Sequence, residues 1–233
     1  MSTTLSQAGV SPTSRREFFK RAGFGAVAVA AASTLAACDS DDPTDGDVVT
    51  LDFSNDFGVL NYAYALEQLE AGFYATVIGA SGFTSTFSAD EQAILRDLAA
   101  HEGIHRDFFE AAIRGANGMP IPDLTPDFDS IDFSSRSNVL AVAQTFEDLG
   151  VSAYNGAGKY IESEAYLLLA GKIVSVEARH ASVIAGLITP NTIAASGVID
   201  ANGLDRALEP SAVLAAAAPF IRDTIRVTNV PTV

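Results

Sequence analysis

Glu67-Gln68-Leu69-Glu70-Ala71-Gly72-Phe73-Tyr74 is followed by Glu102-Gly103-Ile104-His105, and the same order returns as Glu147-Asp148-Leu149-Gly150-Val151-Ser152-Ala153-Tyr154 followed by Glu177-Ala178-Arg179-His180. Each half therefore reads E-x6-Y and then E-x-x-H, with 35 residues between its glutamates in the first case and 30 in the second. Two motifs that recur in the same order, each with its own internal spacing intact, read as an internal repeat. One E-x-x-H alone carries little information; two, each with a registered E-x6-Y partner, are specific.

Four stretches of helical spacing surround these motifs. The first runs from about Asp56 to Ile78, with Leu60, Tyr64, Glu67, Ala71, Tyr74 and Ile78 along one face, and Gly79-Ala80-Ser81-Gly82 breaks it. Ser88-Ala89-Asp90-Glu91 opens the second as a capping box, in which serine and glutamate satisfy each other's free amides. That helix continues to about Ala116, where Asn117-Gly118 stops it. Pro120, Pro122 and Pro126 then exclude helix over 117–134, a connection that at ~3.3 Å per residue could span about 59 Å. The third helix covers roughly Ser137 to Tyr160 and the fourth Ser163 to Ile188, with one short helix expected near Ser211 to Ala218. Short, long, short connections describe an all-α, up-down four-helix bundle: two hairpins, a long crossover between helices 2 and 3, and a C-terminal tail.

The spacing makes chemical sense. Residues at i and i+3 share a helix face, so Glu102 with His105, and Glu177 with His180, can each reach one ion together. Glu67 lies about 11 residues before its helix end and Glu102 about 14 after the next start, which at ~1.5 Å per residue sets them at similar depth. The same count sets Glu147 opposite Glu177. Bare carboxylates among Leu66, Leu69, Phe146, Leu149, Val174 and Val176 would be costly to bury unless paired or metal-bound. Four glutamates are balanced by two divalent cations, and carboxylate with imidazole suits iron or manganese.

At these residues the chain resembles the ferritin-like di-iron and di-manganese carboxylate proteins, a class defined by one glutamate from each of two helices and Glu-x-x-His from each of the others. It is most similar to their exported members, which include desiccation-related proteins, through Glu177-Ala178-Arg179-His180 and Leu66 to Tyr74. The resemblance covers roughly Asp56 to Ile188, with a looser echo at Pro219-Phe220-Ile221. It implies Glu102 and Glu177 as bridging carboxylates, His105 and His180 as nitrogen ligands, and Glu67 and Glu147 as terminal ones. Tyr74 and Tyr154 would then be donors to the ligands or radical-quenching neighbours, or plain aromatic packing. Glu70 competes with Glu67, but its repeat counterpart is Gly150, so symmetry favours Glu67 and leaves Glu70 a spare acid on an adjacent face. The cofactor implied is a pair of divalent ions, iron ahead of manganese, and the activity is redox chemistry of the ferroxidase, peroxidase or catalase kind, with iron, oxygen or peroxide as partners.

Other readings stay open. His101-Glu102-Gly103-Ile104-His105 matches H-E-x-x-H, the zinc hydrolase signature. Phe108 and Ala111 stand where a metzincin would continue it, and a zinc reading leaves the second E-x-x-H unexplained; His101, whose repeat counterpart is Val176, is then a flanking side chain. A non-catalytic stress or desiccation-related envelope protein with a structural metal site is a second class, and iron storage in a homo-oligomeric shell a third. One cysteine, Cys38, rules out a rubredoxin-type C-x-x-C electron supply within the chain.

The N-terminal residues address location instead of fold. Ser14-Arg15-Arg16-Glu17-Phe18-Phe19-Lys20 before a small apolar run is a twin-arginine export pattern, expected to end at residue 37. Leu35-Ala36-Ala37-Cys38 resembles a lipobox, with Cys38 as the lipidation site and a periplasmic or envelope location through a lipid anchor. Residues 38–47 read as an acidic tether, 48–190 as the bundle and 191–233 as an extension packing on it. Residues 1–37 hold four cationic side chains against Glu17, a net of +3, so the remainder carries −18 where the whole chain carries −15. That surface argues against nucleic acid and anionic headgroups and attracts cations.

Overall fold

The fold is that of a computed structural model describing residues 48–232; the export pattern, Cys38 and the tether lie outside the described residues. Helix α1 spans Asp56–Gly79, a single turn α2 spans Phe83–Thr86, and α3 spans Ala89–Gly115. After the crossover come α4 (Arg136–Ala157), α5 (Glu164–Ile188) and the short α6 (Pro210–Ala217). The long helices pair as the motifs imply, α1 packing most extensively on α3 and α4 on α5, in a helical bundle. None of the described helices is long and apolar enough to cross a membrane.

The capping box is present as read: Ser88 N–H donates to Glu91 Oε2 at 2.8 Å and Glu91 N–H donates to Ser88 Oγ at 3.3 Å. The Glu91 carboxylate also accepts from Arg136 Nε at 2.7 Å, and the same guanidinium donates to the Leu187 carbonyl at 2.8 Å. One cation thus ties the start of α3 and the start of α4 to the end of α5.

Helix α1 differs from its one-faced expectation. Every residue from Gly58 to Ala71 is buried, so the helix is central and apolar nearly all round, while Ile78 at the end of the expected face is 36 % exposed. The exceptions to that apolar character are informative. Asn61 donates to the Met119 carbonyl and accepts from Ile121 N–H, and seven residues on Gln68 donates to the Pro122 carbonyl and accepts from Leu124 N–H. Seven helical residues rise about 10 Å, nearly what three extended residues cover, so two carboxamides on one face match a strand-like crossover in register. They supply backbone partners that an extended segment without a neighbouring strand otherwise lacks.

Sequence periodicity missed the smallest elements. Strand β1 (Val48–Asp52) pairs in parallel with β2 (Thr224–Thr228), Val48 beside Thr224 and Asp52 beside Thr228. Val49 and Leu51 point into the core and their neighbours outward, a five-residue alternation with no local signal for its partner at the far end of the chain. The C-terminal segment then crosses the crossover, with Asp127 N–H donating to the Phe220 carbonyl and Arg222 N–H to the Thr125 carbonyl. Phe220 packs edge-on against Phe146 of α4, ring centroids 4.8 Å apart.

At Gly156 this extension comes close to the backbone of α4. A Cβ there would lie 1.8 Å from the Leu208 carbonyl oxygen, beside the hydrogen bond from Leu208 N–H to the Ser152 carbonyl. Gly156→Ala is therefore expected to lift the segment and destabilise by about 1–3 kcal/mol, lowering Tm by roughly 2–12 °C. An unchanged calorimetric Tm would show that the segment is not seated on α4.

Candidate metal centre

Six side chains converge between the long helices: Glu67 from α1, Glu102 and His105 from α3, Glu147 from α4, and Glu177 and His180 from α5. They form two overlapping groups, Glu67, Glu102, His105 and Glu177 in one, and Glu102, Glu147, Glu177 and His180 in the other. Within each group the potential donor atoms lie no more than 4.8 Å apart. Glu102 and Glu177 belong to both, and their oxygens divide between the two. Glu102 Oε1 is 2.7 Å from His180 Nδ1 while Oε2 is 3.4 Å from His105 Nδ1. Glu177 Oε1 is 2.8 Å from His105 Nδ1 while Oε2 is 3.5 Å from His180 Nδ1. Glu67 Oε2 and Glu147 Oε2 complete the groups at 3.4 and 3.5 Å from His105 and His180.

All four glutamates have no exposed surface. The two nitrogens and the six carboxylate oxygens that face this centre have no hydrogen-bond partner, because the short nitrogen–oxygen distances lack the alignment of a hydrogen bond. Lone pairs aimed at shared points instead of at each other are the arrangement that a cation satisfies. The residues present fit a divalent metal site of oxygen and imidazole donors, and two such ions would cancel four carboxylate charges.

The outer oxygens of the two unshared glutamates are held from across the bundle. Tyr74 Oη donates to Glu147 Oε1 at 2.5 Å, and Tyr154 Oη donates to Glu67 Oε1. Each tyrosine serves the glutamate of the other half, since its own lies seven residues away, about 10 Å along the axis. Moving seven residues forward on α1 matches moving seven back on α4, as antiparallel neighbours require.

The electrostatics follow from burial and crowding. Burial pushes Glu67 well above the ordinary carboxyl range, with His105 offsetting it in part, and pushes Glu147 up to about 8 against the pull of His180. Burial would also raise Glu102, but the two imidazoles beside it prevail and bring it down to about 2. For His105 and His180, burial favours the neutral ring, yet the surrounding carboxylates outweigh it and raise both to about 12. Burial and the adjacent carboxylate hold the Tyr74 and Tyr154 phenols well above their usual value, so both remain donors. Without metal, the cluster balances its charge with protons.

Glu70 lies outside both donor groups, as the symmetry of the repeat leads one to expect, but it is buried: it is 3 % exposed and sits over Gly150, where an added Cβ would lie 2.9 Å from its Oε1. Burial and then repulsion from Glu102 and Glu177 push its carboxyl well above the usual range. The pairing of a glutamate in one half with a glycine in the other was the legible sign, since large meets small where two related helices face each other. His101 does more than flank the site: its Nδ1 lies 3.0 Å from His180 Nε2, on the side of that ring away from the carboxylates. His101 belongs to neither donor group, which is not the geometry that H-E-x-x-H adopts around zinc.

Among known proteins, the family model described as a ferritin-like domain matches residues 55–190 of this chain. No curated protein matches it.

Proposed function

Because the chain belongs to the ferritin-like domain family, we propose that it is a dinuclear metal oxidoreductase that reacts ferrous iron with dioxygen or peroxide. The single observation that carries this reading is the sharing of Glu102 and Glu177 by both donor groups, each carboxylate offering one oxygen to either side. Two ions held that closely between common carboxylates would supply the two electrons that reduction of dioxygen to peroxide, or of peroxide to water, consumes.

The chain's own contribution is placement, charge and exclusion of solvent. Glu102 and Glu177 would hold both ions, and Glu67 and Glu147 would each hold one. Tyr154 and Tyr74 fix those outer carboxylates by donating to the oxygen that faces away from the centre. Each phenol is one hydrogen bond from a donor carboxylate, in a position to quench an oxidising equivalent. Full burial of the carboxylates strengthens every charge interaction inside and keeps bulk water from the reaction.

The same reading extends to location. The twin-arginine pattern at Ser14–Lys20 and the Leu35–Cys38 lipobox support export of the folded protein and a lipid anchor at Cys38 in the cell envelope.

The decisive experiment adds ferrous iron to metal-free protein under argon and then admits dioxygen or peroxide. An oxidant-dependent near-ultraviolet absorbance change with multiple turnovers is expected in the wild type and not in Glu102→Ala. Metal uptake with no spectral response to either oxidant would leave a structural site in a protective envelope protein and end the redox reading.

A further inference from the structure

The two halves of the centre are alike in their donors and unlike behind them. On the α5 side, His180 presents Nδ1 to Glu102, Glu147 and Glu177, and its Nε2 meets His101 Nδ1 at 3.0 Å. The ring planes differ by only 12° with centroids 5.2 Å apart. A nitrogen contact so much shorter than the centroid separation means that the rings meet edge to edge in nearly one plane, the geometry of a directed hydrogen bond and not of face-to-face stacking. The position four residues before the histidine in the second half is Val176, which has nothing to accept a proton. His105 therefore has no matching partner from the repeat.

Tautomer logic then assigns the roles. An imidazole that offers Nδ1 to a metal must carry its proton on Nε2, so His180 is the donor in this contact and His101 Nδ1 the acceptor. His101 itself reaches solvent. Metal-binding histidines gain basicity and a fixed ring orientation when the distal N–H is accepted by a partner, and loss of that partner typically weakens binding 10–100-fold.

Resting on the dinuclear reading above, we propose that His101 is a positioning residue that fixes the tautomer of His180 and so makes the two ion positions unequal, the ion held by His180 being the tighter. A duplicated site of equivalent donors thereby fills in order. The difference comes from one side chain on the outer surface of α3, not from the donors themselves.

The test is a calorimetric titration of metal-free full chain with manganese(II), a divalent ion of the same donor preference as iron that is stable in air. Wild type, His101→Leu and His101→Asn are compared, and asparagine is chosen because its Oδ1 can stand where Nδ1 accepts. In the wild type two ions bind with distinct affinities. In His101→Leu one of them is expected to weaken by about 10–100-fold while the other is unchanged, and His101→Asn restores most of the loss. Nitrogen NMR of the chain with zinc added as a diamagnetic probe should show a His180 Nε2–H that is hydrogen-bonded and slow to exchange in the wild type and in the asparagine variant, and fast to exchange in His101→Leu. Two ions bound in His101→Leu with unchanged affinities, or both weakened alike, would overturn the role of His101 and leave the dinuclear reading intact. A wild type that takes up no ion would overturn both.

Discussion

Glu102→Ala is expected to abolish binding of both ions, whereas Glu67→Ala and Glu147→Ala should each lose one. Glu102 lies in both donor groups, its Oε1 2.7 Å from His180 Nδ1 and its Oε2 3.4 Å from His105 Nδ1. Its removal takes an oxygen from each group and leaves three buried carboxylates to balance two dications. Breaking a fully buried charge arrangement by deleting one partner costs about 3–5 kcal/mol, a loss of affinity of roughly a hundredfold to several thousandfold. Glu177→Ala should behave in the same way, because Glu177 divides its oxygens in the opposite sense. Glu67 and Glu147 each belong to a single group, so their loss spares the other. Elemental analysis of the natively purified variants reads the outcome directly. Two metal equivalents retained in Glu102→Ala would mean that the ions are not bridged, and the assignment of the centre would fall.

Metal removal is expected to lower stability strongly, and by more as the pH rises. A ligand present at a thousand times its dissociation constant adds about 4 kcal/mol per site, which for a chain of this size corresponds to a Tm rise of at least about 8 °C. The pH dependence comes from the protons that replace the metal. Glu147 is raised to about 8 in the folded chain, and its contribution is fully present below the ordinary glutamate value near 4.5 and lost as pH rises through about 8. Glu67 and Glu70 are raised in the same direction. His105 and His180, raised to about 12, act with the same sign from about 6.5 upward. Glu102, held down to about 2, opposes them only below about 4.5 and is already ionised above it. Metal-free protein should therefore lose stability between about pH 5 and 8, while metal binding, which expels those protons, strengthens over the same interval. Calorimetric scans with and without manganese(II) at the two ends of that interval should show the gap in Tm widening. A gap that narrows would mean that Glu67, Glu70 and Glu147 are ionised without metal, contrary to the effect of their burial.

Much of this centre was legible from spacing because its donors are locally ordered. Glu102 with His105, and Glu177 with His180, are one helical turn apart, so helix geometry alone aims each pair at a common point. The helices were equally readable, and the Ser88–Glu91 capping box marked the start of α3 at the residue where it begins. Glu67, Glu147 and the two tyrosines were legible as members of a repeat, although their partners were not.

What the amino-acid order specified without help was the set of helices, the repeat and the candidate donor residues, since these are written in spacings along each helix and in their recurrence. Tertiary structure alone decided who meets whom across the bundle. Tyr74 reaches Glu147 over 73 positions, His101 reaches His180 over 79, and Tyr154 reaches Glu67 over 87. It also decided that Glu70 is buried above Gly150, that Asn61 and Gln68 secure the crossover, and that β1 and β2 pair. The physical reason is that periodicity specifies a face but not the height or partner of that face. Height and partner are set when antiparallel helices slide into the one register that buries their apolar surface and brings four carboxylates to a single level.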